Sequence, residues 1–154
     1  MKKSSHKLES QTPLDINKFL CFAIYSAHHA FSRVYQPLLQ ELGLTYPQFI
    51  AMITLWSSGK QTVSELGERL HLQSNTLTPM LKRLEERGYI VRARDSGDER
   101  QVNITLTTAG KRLEARAYGI IKEVRRATGL TSLEMEEVLA SVSGLRNALG
   151  KLST

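Results

Sequence analysis

The side chain with the most distinctive chemistry in this sequence is the thiol of Cys21, the only cysteine among the 154 residues. A thiolate is a nucleophile that peroxides oxidise, whereas a lone cysteine on an apolar helix is more often an inert small hydrophobic residue. Tyr25 follows Cys21 by one helical turn, and Tyr35 follows by four turns on the same face. Fourteen residues of helix span ~21 Å, so Tyr35 could reach Cys21 only from a two-fold-related copy of the chain.

A second group of side chains is suited to binding nucleic acid. It lies on the outer face of a short predicted helix, where hydroxyl, amide and basic groups can hydrogen-bond base edges or phosphates. The helix N-terminus adds a positive dipole end that favours a phosphate. The candidates on this helix are Ser74, Asn75, Thr76, Thr78, Lys82 and Arg83.

Three arginines, Arg92, Arg94 and Arg100, flank a predicted turn after this helix. An arginine at such a tip can enter the narrow, electronegative minor groove of DNA. Asp98 lies two residues from Arg100 and could orient it. The alternative is a solvated turn of mixed charge. Residues 60–100 hold eight Lys/Arg and seven Asp/Glu, a net charge of +1, so the charge count does not decide between the two.

The elements that must position these groups follow from periodicity and capping signals. Helical spacing of apolar residues starts near Leu14, and the later helices start at capping boxes on Thr45, Thr62 and Thr131. Ser74 is a further candidate cap. Between residues 89 and 106 the period changes to the alternation of two strands around a turn. The order is therefore four helices, a hairpin and two helices, which is the layout of a winged helix-turn-helix.

The fold class we predict is mainly α with a small β-hairpin wing, in a winged helix-turn-helix with a helical dimerisation domain. Residues 1–13 are a polar flexible tail. Residues 14–43 and 108–152 form the helical dimerisation region, and residues 45–60 are a connecting helix. Residues 62–106 are the winged helix-turn-helix that binds DNA.

Composition limits the function classes. The net charge of +6 and the pI of about 9.6 fit a polyanionic partner, and 41% hydrophobic residues suffice for a core. No apolar run approaches the ~18 residues of a membrane span, and the first ten residues lack the apolar stretch of a signal peptide. One cysteine excludes an internal disulfide. We expect a cytoplasmic protein that does not bind membranes.

Four segments of the chain are distinctive: LTYPQ (44–48), LQSNTLTPMLKRLEERGYI (72–90), RARDSGDER (92–100) and ITLTTAG (104–110). They resemble the multiple-antibiotic-resistance regulator (MarR) family. The run FLCFAIYSAHHAFSRVYQPLLQELGLTYPQ (19–48) is similar to one branch, the organic-hydroperoxide-sensing repressors. The resemblance covers roughly residues 15–125. It implies a homodimer that binds a pseudo-palindromic operator in double-stranded DNA and releases it when peroxide oxidises the cysteine.

The resemblance also implies the roles of the tyrosines. Residues at the positions of Tyr35 and Tyr46 hydrogen-bond the cysteine of the other subunit, and we expect Tyr25 to line the pocket. Phenolic donors stabilise the thiolate, which is the form that attacks a peroxide. An apolar wall of Phe19, Phe22 and Phe49 would favour alkyl hydroperoxides over H₂O₂.

The branch contains proteins with one cysteine and proteins with a second cysteine near the start of the last helix. Leu130 stands where that second cysteine would be. The chain therefore resembles the one-cysteine kind, in which a low-molecular-weight thiol traps the sulfenic acid or oxidation proceeds further.

Other functions are less well supported by the sequence. The four histidines include no pair at metal-ligand spacing, and no resolving cysteine or phosphate-binding loop is present, so we predict no metal, no cofactor and no enzymatic activity. One alternative within the family stays open. A repressor released by a phenolic or carboxylate ligand would make Cys21 incidental and the tyrosines the lining of a ligand cleft.

Overall fold

The computed structural model describes residues 14–152, and the predicted tail at residues 1–13 lies outside the described part. A 3-10 turn at Ile16–Lys18 leads into the first helix. The further elements follow in the predicted order, with one additional strand. They are α1 (Leu20–Gln40), α2 (Tyr46–Ser58), β1 (Gln61–Thr62), α3 (Val63–Leu70), α4 (Ser74–Glu86), β2 (Ile90–Arg94), β3 (Val102–Leu106), α5 (Thr108–Ala127) and α6 (Ser132–Gly150).

Three helices begin at the predicted capping boxes. The hydroxyl oxygens of Thr45, Thr62 and Thr131 each accept the backbone N–H three residues later, and the Gln or Glu at that position accepts the threonine N–H in return. Each box satisfies two of the N–H groups that a helix start leaves unpaired. These three helix starts were therefore encoded locally, within four residues each.

The predicted cap at Ser74 is wrong. The N-cap of α4 is Gln73, whose side chain makes no capping hydrogen bond, and Ser74 is the first helical residue. No Glu or Gln lies three residues beyond Ser74 to complete a box, so nothing local holds the helix start there. The start is held instead by the backbone, because the N–H groups of Thr76 and Leu77 donate to the carbonyl of Gln73.

The sheet has three strands rather than the two of the predicted hairpin. Its order is β1-β3-β2, all antiparallel, with Gln61 opposite Ile104 and Arg94 opposite Val102. The strand β1 has only two residues and runs directly into the Thr62 capping box. It is too short to show the alternation that reveals a strand in a sequence. Its effect is to attach the wing to the start of α3.

The core of the molecule surrounds α2. Phe49, Met52 and Leu55 on α2 are fully buried, together with apolar residues of α3, α4, the sheet and α5. The indole N–H of Trp56 donates to the carbonyl of Gly110 at 3.0 Å, which attaches α2 to the first turn of α5. This connecting helix is thus the common support of the winged helix and the long helix that leaves it.

The first and last helices bury little of their apolar surface in one chain. α6 contains no buried residue, and Leu133, Leu139 and Val142 are 66%, 58% and 49% exposed. Only Leu39 of α1 is buried, while Leu20 and Phe31 are 61% and 45% exposed. An exposed apolar face of this extent marks an interaction surface. Within residues 14–152, no helix is both long enough and apolar enough to cross a membrane.

Candidate functional site

Helix α4 separates its apolar and polar side chains cleanly. Leu77, Met80, Leu81 and Leu84 are buried against the core. The opposite face presents the six predicted binding residues, all of them exposed: Ser74, Asn75, Thr76, Thr78, Lys82 and Arg83. This polar face is therefore available to a partner that lies along the helix.

The turn between α3 and α4 sets the relative direction of these two helices. His71 takes a left-handed conformation with φ of 53°, and its N–H donates to carbonyls at the end of α3. The N–H of Leu72 then donates to the carbonyl of Gly67 at 3.0 Å. A side chain at Gly67 would meet the carbonyl oxygen of Leu72 at 3.1 Å, so the close turn requires a small residue.

Of the three predicted wing arginines, Arg92 is engaged within the chain. Its Nε donates to Oε2 of Glu85 at 2.8 Å, and its backbone N–H donates to Oε1 at 2.9 Å. These two hydrogen bonds lower the pKa of Glu85 below its usual value. The pair joins the base of the wing to the last turn of α4. Nothing in the sequence marks Glu85 as this partner, because a residue seven positions away across a turn leaves no local pattern.

The other two wing arginines are differently placed. Arg94 and Arg100 are exposed, and within residues 14–152 no protein group accepts a hydrogen bond from either guanidinium. Asp98 acts on the backbone of Arg100, since its Oδ1 accepts the Arg100 N–H at 3.0 Å. Asp98 therefore contacts Arg100 as predicted, through the backbone of the arginine rather than through its guanidinium. The spacing of two residues suits a backbone hydrogen bond in a turn.

The wing tip also contains residues that the sequence analysis did not select. The carboxylate of Asp95 accepts hydrogen bonds from the backbone N–H groups of Gly97 and Asp98 and from the side chain of Asn103. It also forms an ion pair with Lys60. An aspartate two residues before a glycine is a turn signal, but its contacts with Asn103 and Lys60 are formed by the folded sheet.

Cys21 is the second residue of α1 and is exposed. The helix start has no side-chain cap, because its N-cap residue is Phe19. A negative charge is favoured in the first turn of a helix, so this position suits a thiolate. The thiol lies in what we call the Cys21 hollow, an apolar depression lined by Leu14, Ile16, Phe19, Cys21, Phe22 and Tyr25.

Tyr35 and Tyr46 lie together, although α1 and α2 carry them separately. Their ring centroids are 5.0 Å apart, and the Tyr35 ring is 5.9 Å from that of Phe49. Burial, and to a smaller extent the neighbouring Tyr46, raise the pKa of Tyr35 above its usual value. The Tyr35 hydroxyl therefore stays protonated at neutral pH and can donate a hydrogen bond.

Within one chain, the tyrosine pair and the thiol are at different ends of α1. Cys21 and Tyr35 are separated by ~21 Å of helix. Phe49 is fully buried beside Tyr35 and does not line the Cys21 hollow of its own chain. Its predicted place in the wall around the thiol requires a second subunit, as does that of Tyr35, and stays a prediction. The helical pattern correctly placed Phe49 on the buried face of α2, but it could not indicate which side chains Phe49 contacts.

Leu130 lies in the loop before α6 and lines an apolar groove with residues of α1, α5 and α6. The groove is formed by Ala27, Ala30, Phe31, Val34, Val124, Ala127, Thr128, Leu130, Met135 and Val138. An apolar residue fits this environment. The groove is continuous with the exposed apolar faces of the first and last helices.

Comparison with known proteins identifies the family. The family described as transcriptional regulator SarA/Rot matches residues 33–116. The organic hydroperoxide resistance transcriptional regulator of Bacillus subtilis is 45% identical over 114 residues, which are 74% of this chain and 72% of that protein. The regulator TtmR of Methylorubrum extorquens is 44% identical over 137 residues, which are 89% of this chain and 70% of that protein.

A solved structure extends the comparison to three dimensions. Reduced AbfR of Staphylococcus epidermidis bound to DNA is 36% identical and superposes with a TM-score of 0.76. The match covers 88% of this chain and 93% of AbfR. The fold and the sequence thus agree on one family. The chain belongs to the MarR/SarA-like family of winged-helix transcriptional regulators, as its sequence segments predicted.

Proposed function

We propose that this protein is a homodimeric repressor of transcription that binds operator DNA and releases it when an organic hydroperoxide oxidises Cys21. The observation that carries the proposal is the placement of the single thiol. Cys21 is exposed in the uncapped first turn of α1 and lies in an apolar hollow. The chain that places it there is 45% identical to an organic hydroperoxide resistance regulator.

The polar face of α4 fits the major groove of DNA. The N-terminal residues Ser74, Asn75 and Thr76 approach base edges, while Lys82 and Arg83 at the other end bind phosphates. Arg94 and Arg100 on the wing reach the minor groove. The relative AbfR binds DNA in its reduced state, which supports this arrangement. Two subunits related by a two-fold axis match a pseudo-palindromic operator in the cytoplasm.

The dimer completes the sensor. The exposed apolar faces of α1 and α6 bury one another between two subunits. An antiparallel pair of α1 helices brings Tyr35 and Tyr46 of one subunit to Cys21 of the other. Two phenolic O–H groups then donate hydrogen bonds to the sulfur and stabilise its thiolate form.

The chemistry follows from a thiolate in an apolar hollow. The sulfur attacks the terminal oxygen of a hydroperoxide, the O–O bond breaks, and the alkoxide leaves and takes a proton from water. Cys21 becomes a sulfenic acid, and its two electrons reduce the peroxide to an alcohol. A low-molecular-weight thiol then condenses with the sulfenic acid, which forms a mixed disulfide and releases water. Each Cys21 thiol reacts with one peroxide and then stays in the mixed disulfide until a reductant restores it, so the protein acts as a sensor and not as an enzyme.

The tyrosine pair connects the thiol with the DNA-binding face. Tyr46 is the first residue of α2, and Phe49 one turn later belongs to the core that supports α4. An adduct on Cys21 displaces the hydroxyls of Tyr35 and Tyr46 and so shifts α2. The two α4 helices then lose the spacing of about 34 Å that successive major grooves require.

The test is a binding assay on a duplex that covers the promoter of the gene encoding this protein. Reduced protein is expected to bind it, and one equivalent of cumene hydroperoxide with a small thiol is expected to release it. The released protein should carry the mass of the thiol on Cys21, and dithiothreitol should restore binding. Binding that persists after the thiol has been fully oxidised would refute the redox mechanism and leave the DNA-binding function intact.

A further inference from the structure

We propose that Asp95 is a positioning residue for DNA binding, which holds the wing tip rigid against the sheet so that Arg94 and Arg100 are presented to the minor groove. This inference rests on the proposed DNA-binding function and adds a determinant of it. Asp95 touches no DNA in this arrangement, because both oxygens of its carboxylate are turned towards protein groups.

One carboxylate oxygen closes the tip of the wing. Oδ1 accepts the backbone N–H of Gly97 at 2.9 Å and that of Asp98 at 3.3 Å. The Asp95 N–H donates to the carbonyl of Gln101 at 2.9 Å across the same turn. Asp95 therefore defines the loop that connects β2 to β3.

The other oxygen anchors this loop to the sheet. Oδ2 accepts a hydrogen bond from Nδ2 of Asn103 at 2.6 Å, and Nζ of Lys60 lies 3.7 Å away. Asn103 is only 8% exposed and pairs with Thr62 of β1, the cap of α3. The strong contact with Asn103, the N–H of Gly97 and the other neighbours keep the pKa of Asp95 below its usual value. The carboxylate is therefore ionised at neutral pH.

A continuous series of hydrogen bonds links this anchor to Arg100. Asn103 donates to Asp95, the Asp98 N–H donates to Asp95, and the Arg100 N–H donates to Asp98. Arg94 is the residue directly before Asp95 and ends β2. The backbone of Arg100 is thus linked to the Asp95 carboxylate, and Arg94, paired with Val102, is the strand residue from which the anchored tip begins. The guanidinium groups of both arginines remain unpaired within residues 14–152.

The energetic reason for this device is conformational entropy. A flexible tip would have to be ordered when the arginines bind the groove, and each residue that is ordered costs free energy. A tip that is already ordered avoids this cost. Arg92 needs no such support, because Glu85 holds it at the base of the wing.

The experiment compares variants of Asp95 and Asn103 on the promoter duplex, with reduced protein throughout. Asp95→Ala is expected to weaken binding about fivefold to tenfold, through the lost order of the tip. Asp95→Asn keeps an acceptor for Gly97 and Asp98 but faces Asn103 with a second amide, so an intermediate loss is expected. The reciprocal exchange, Asp95→Asn with Asn103→Asp, restores one amide donor and one carboxylate and should recover most of the affinity.

A double-mutant cycle separates positioning from general stability. In an Arg94→Ala/Arg100→Ala background, Asp95→Ala should cause no further loss, because it acts only through these side chains. An equal loss in that background, or a reciprocal exchange that folds but does not recover affinity, would overturn the inference. Asp95→Ala with wild-type affinity would also overturn it. If reduced wild-type protein does not bind the duplex, the proposed function itself fails, and this inference fails with it.

Discussion

The winged helix and the two terminal helices differ in how much of their apolar surface one chain buries. In the winged helix, Leu66, Leu77 and Leu84 are at most 1% exposed, and the carboxylates of Glu85 and Asp95 are hydrogen-bonded. In α6, Leu139 is 58% exposed. The DNA-binding surface that we propose is therefore complete within one subunit, whereas the proposed sensor requires two.

The change with the largest expected effect abolishes the response to peroxide and leaves DNA binding intact. Cys21→Ser should leave the affinity of the protein for operator DNA within about twofold, because the thiol is remote from α4. Release by organic hydroperoxide should be abolished, since a serine hydroxyl is not oxidised in this way. A titration with cumene hydroperoxide, followed by fluorescence anisotropy of labelled DNA, measures both. Release at the wild-type rate would show that Cys21 is not the sensor.

Breaking the contact between subunits should affect both regions. Val142 lies at the centre of the exposed apolar face of α6, and a charge there cannot be buried against a partner. Val142→Glu should produce monomers in analytical ultracentrifugation and weaken operator binding at least about 100-fold, because each subunit then binds a half-site alone. Ala140→Glu adds the same charge to the opposite face of α6 and should remain dimeric. Dimers of both variants would place the interface elsewhere.

Removing one phenolic hydroxyl should affect only the sensor. Tyr35→Phe is expected to slow sulfenic acid formation about tenfold, the value of one hydrogen bond to a charged group. Operator binding by the reduced protein should stay unchanged. The rate is measured by stopped-flow after mixing with cumene hydroperoxide.

A mixed dimer tests whether the tyrosine acts across the interface. In a dimer of one Cys21→Ser chain and one Tyr35→Phe chain, the remaining thiol faces the intact Tyr35 of its partner. The rate per thiol should therefore equal that of the wild type. A slow rate in this mixed dimer would place the tyrosine and the thiol in the same subunit.

The smallest expected effect concerns the base of the wing. Hydrogen bonds from Arg92 lower the pKa of Glu85 in the folded protein, so ionised Glu85 stabilises the fold at neutral pH. This contribution is lost as the pH falls through the folded-state pKa of Glu85, which lies below the usual value of a glutamate. Glu85→Gln should remove that part of the pH dependence of thermal unfolding. The control is Glu86, whose carboxylate lies 3.9 Å from Lys82 on an exposed face. The variant Glu86→Gln should keep the pH dependence of thermal unfolding that Glu85 contributes.

Local signals in the sequence were sufficient for most of the fold. The capping boxes at Thr45, Thr62 and Thr131 lie within four residues and were confirmed. The polar and apolar faces of α4 also followed from periodicity alone. The strand β1 and the cap of α4 were missed or misplaced, because each depends on backbone pairing with little side-chain pattern.

The candidate site was only partly predictable. Cys21 could be singled out as the one thiol, and its place in the first turn of a helix followed from the helical pattern. The contact of Tyr35 with Tyr46, however, joins two helices, and Phe49 packs beside Tyr35 from the second of them, so the pattern within one helix could not show either contact. The roles of Asp95 and Glu85 were hidden for the same reason.

Sequence patterns alone establish the order of the helices, the polar face of α4 and the presence of a single thiol, because these depend on composition and on contacts within one or two helical turns. The contacts between distant groups arise only when the chain folds. Trp56 and Gly110 are 54 residues apart in the chain, and the Arg92–Glu85 and Asp95–Asn103 contacts cross a turn. Such contacts form when apolar burial brings distant segments together. Burial constrains the size and polarity of a side chain, but it does not specify which residue that side chain contacts.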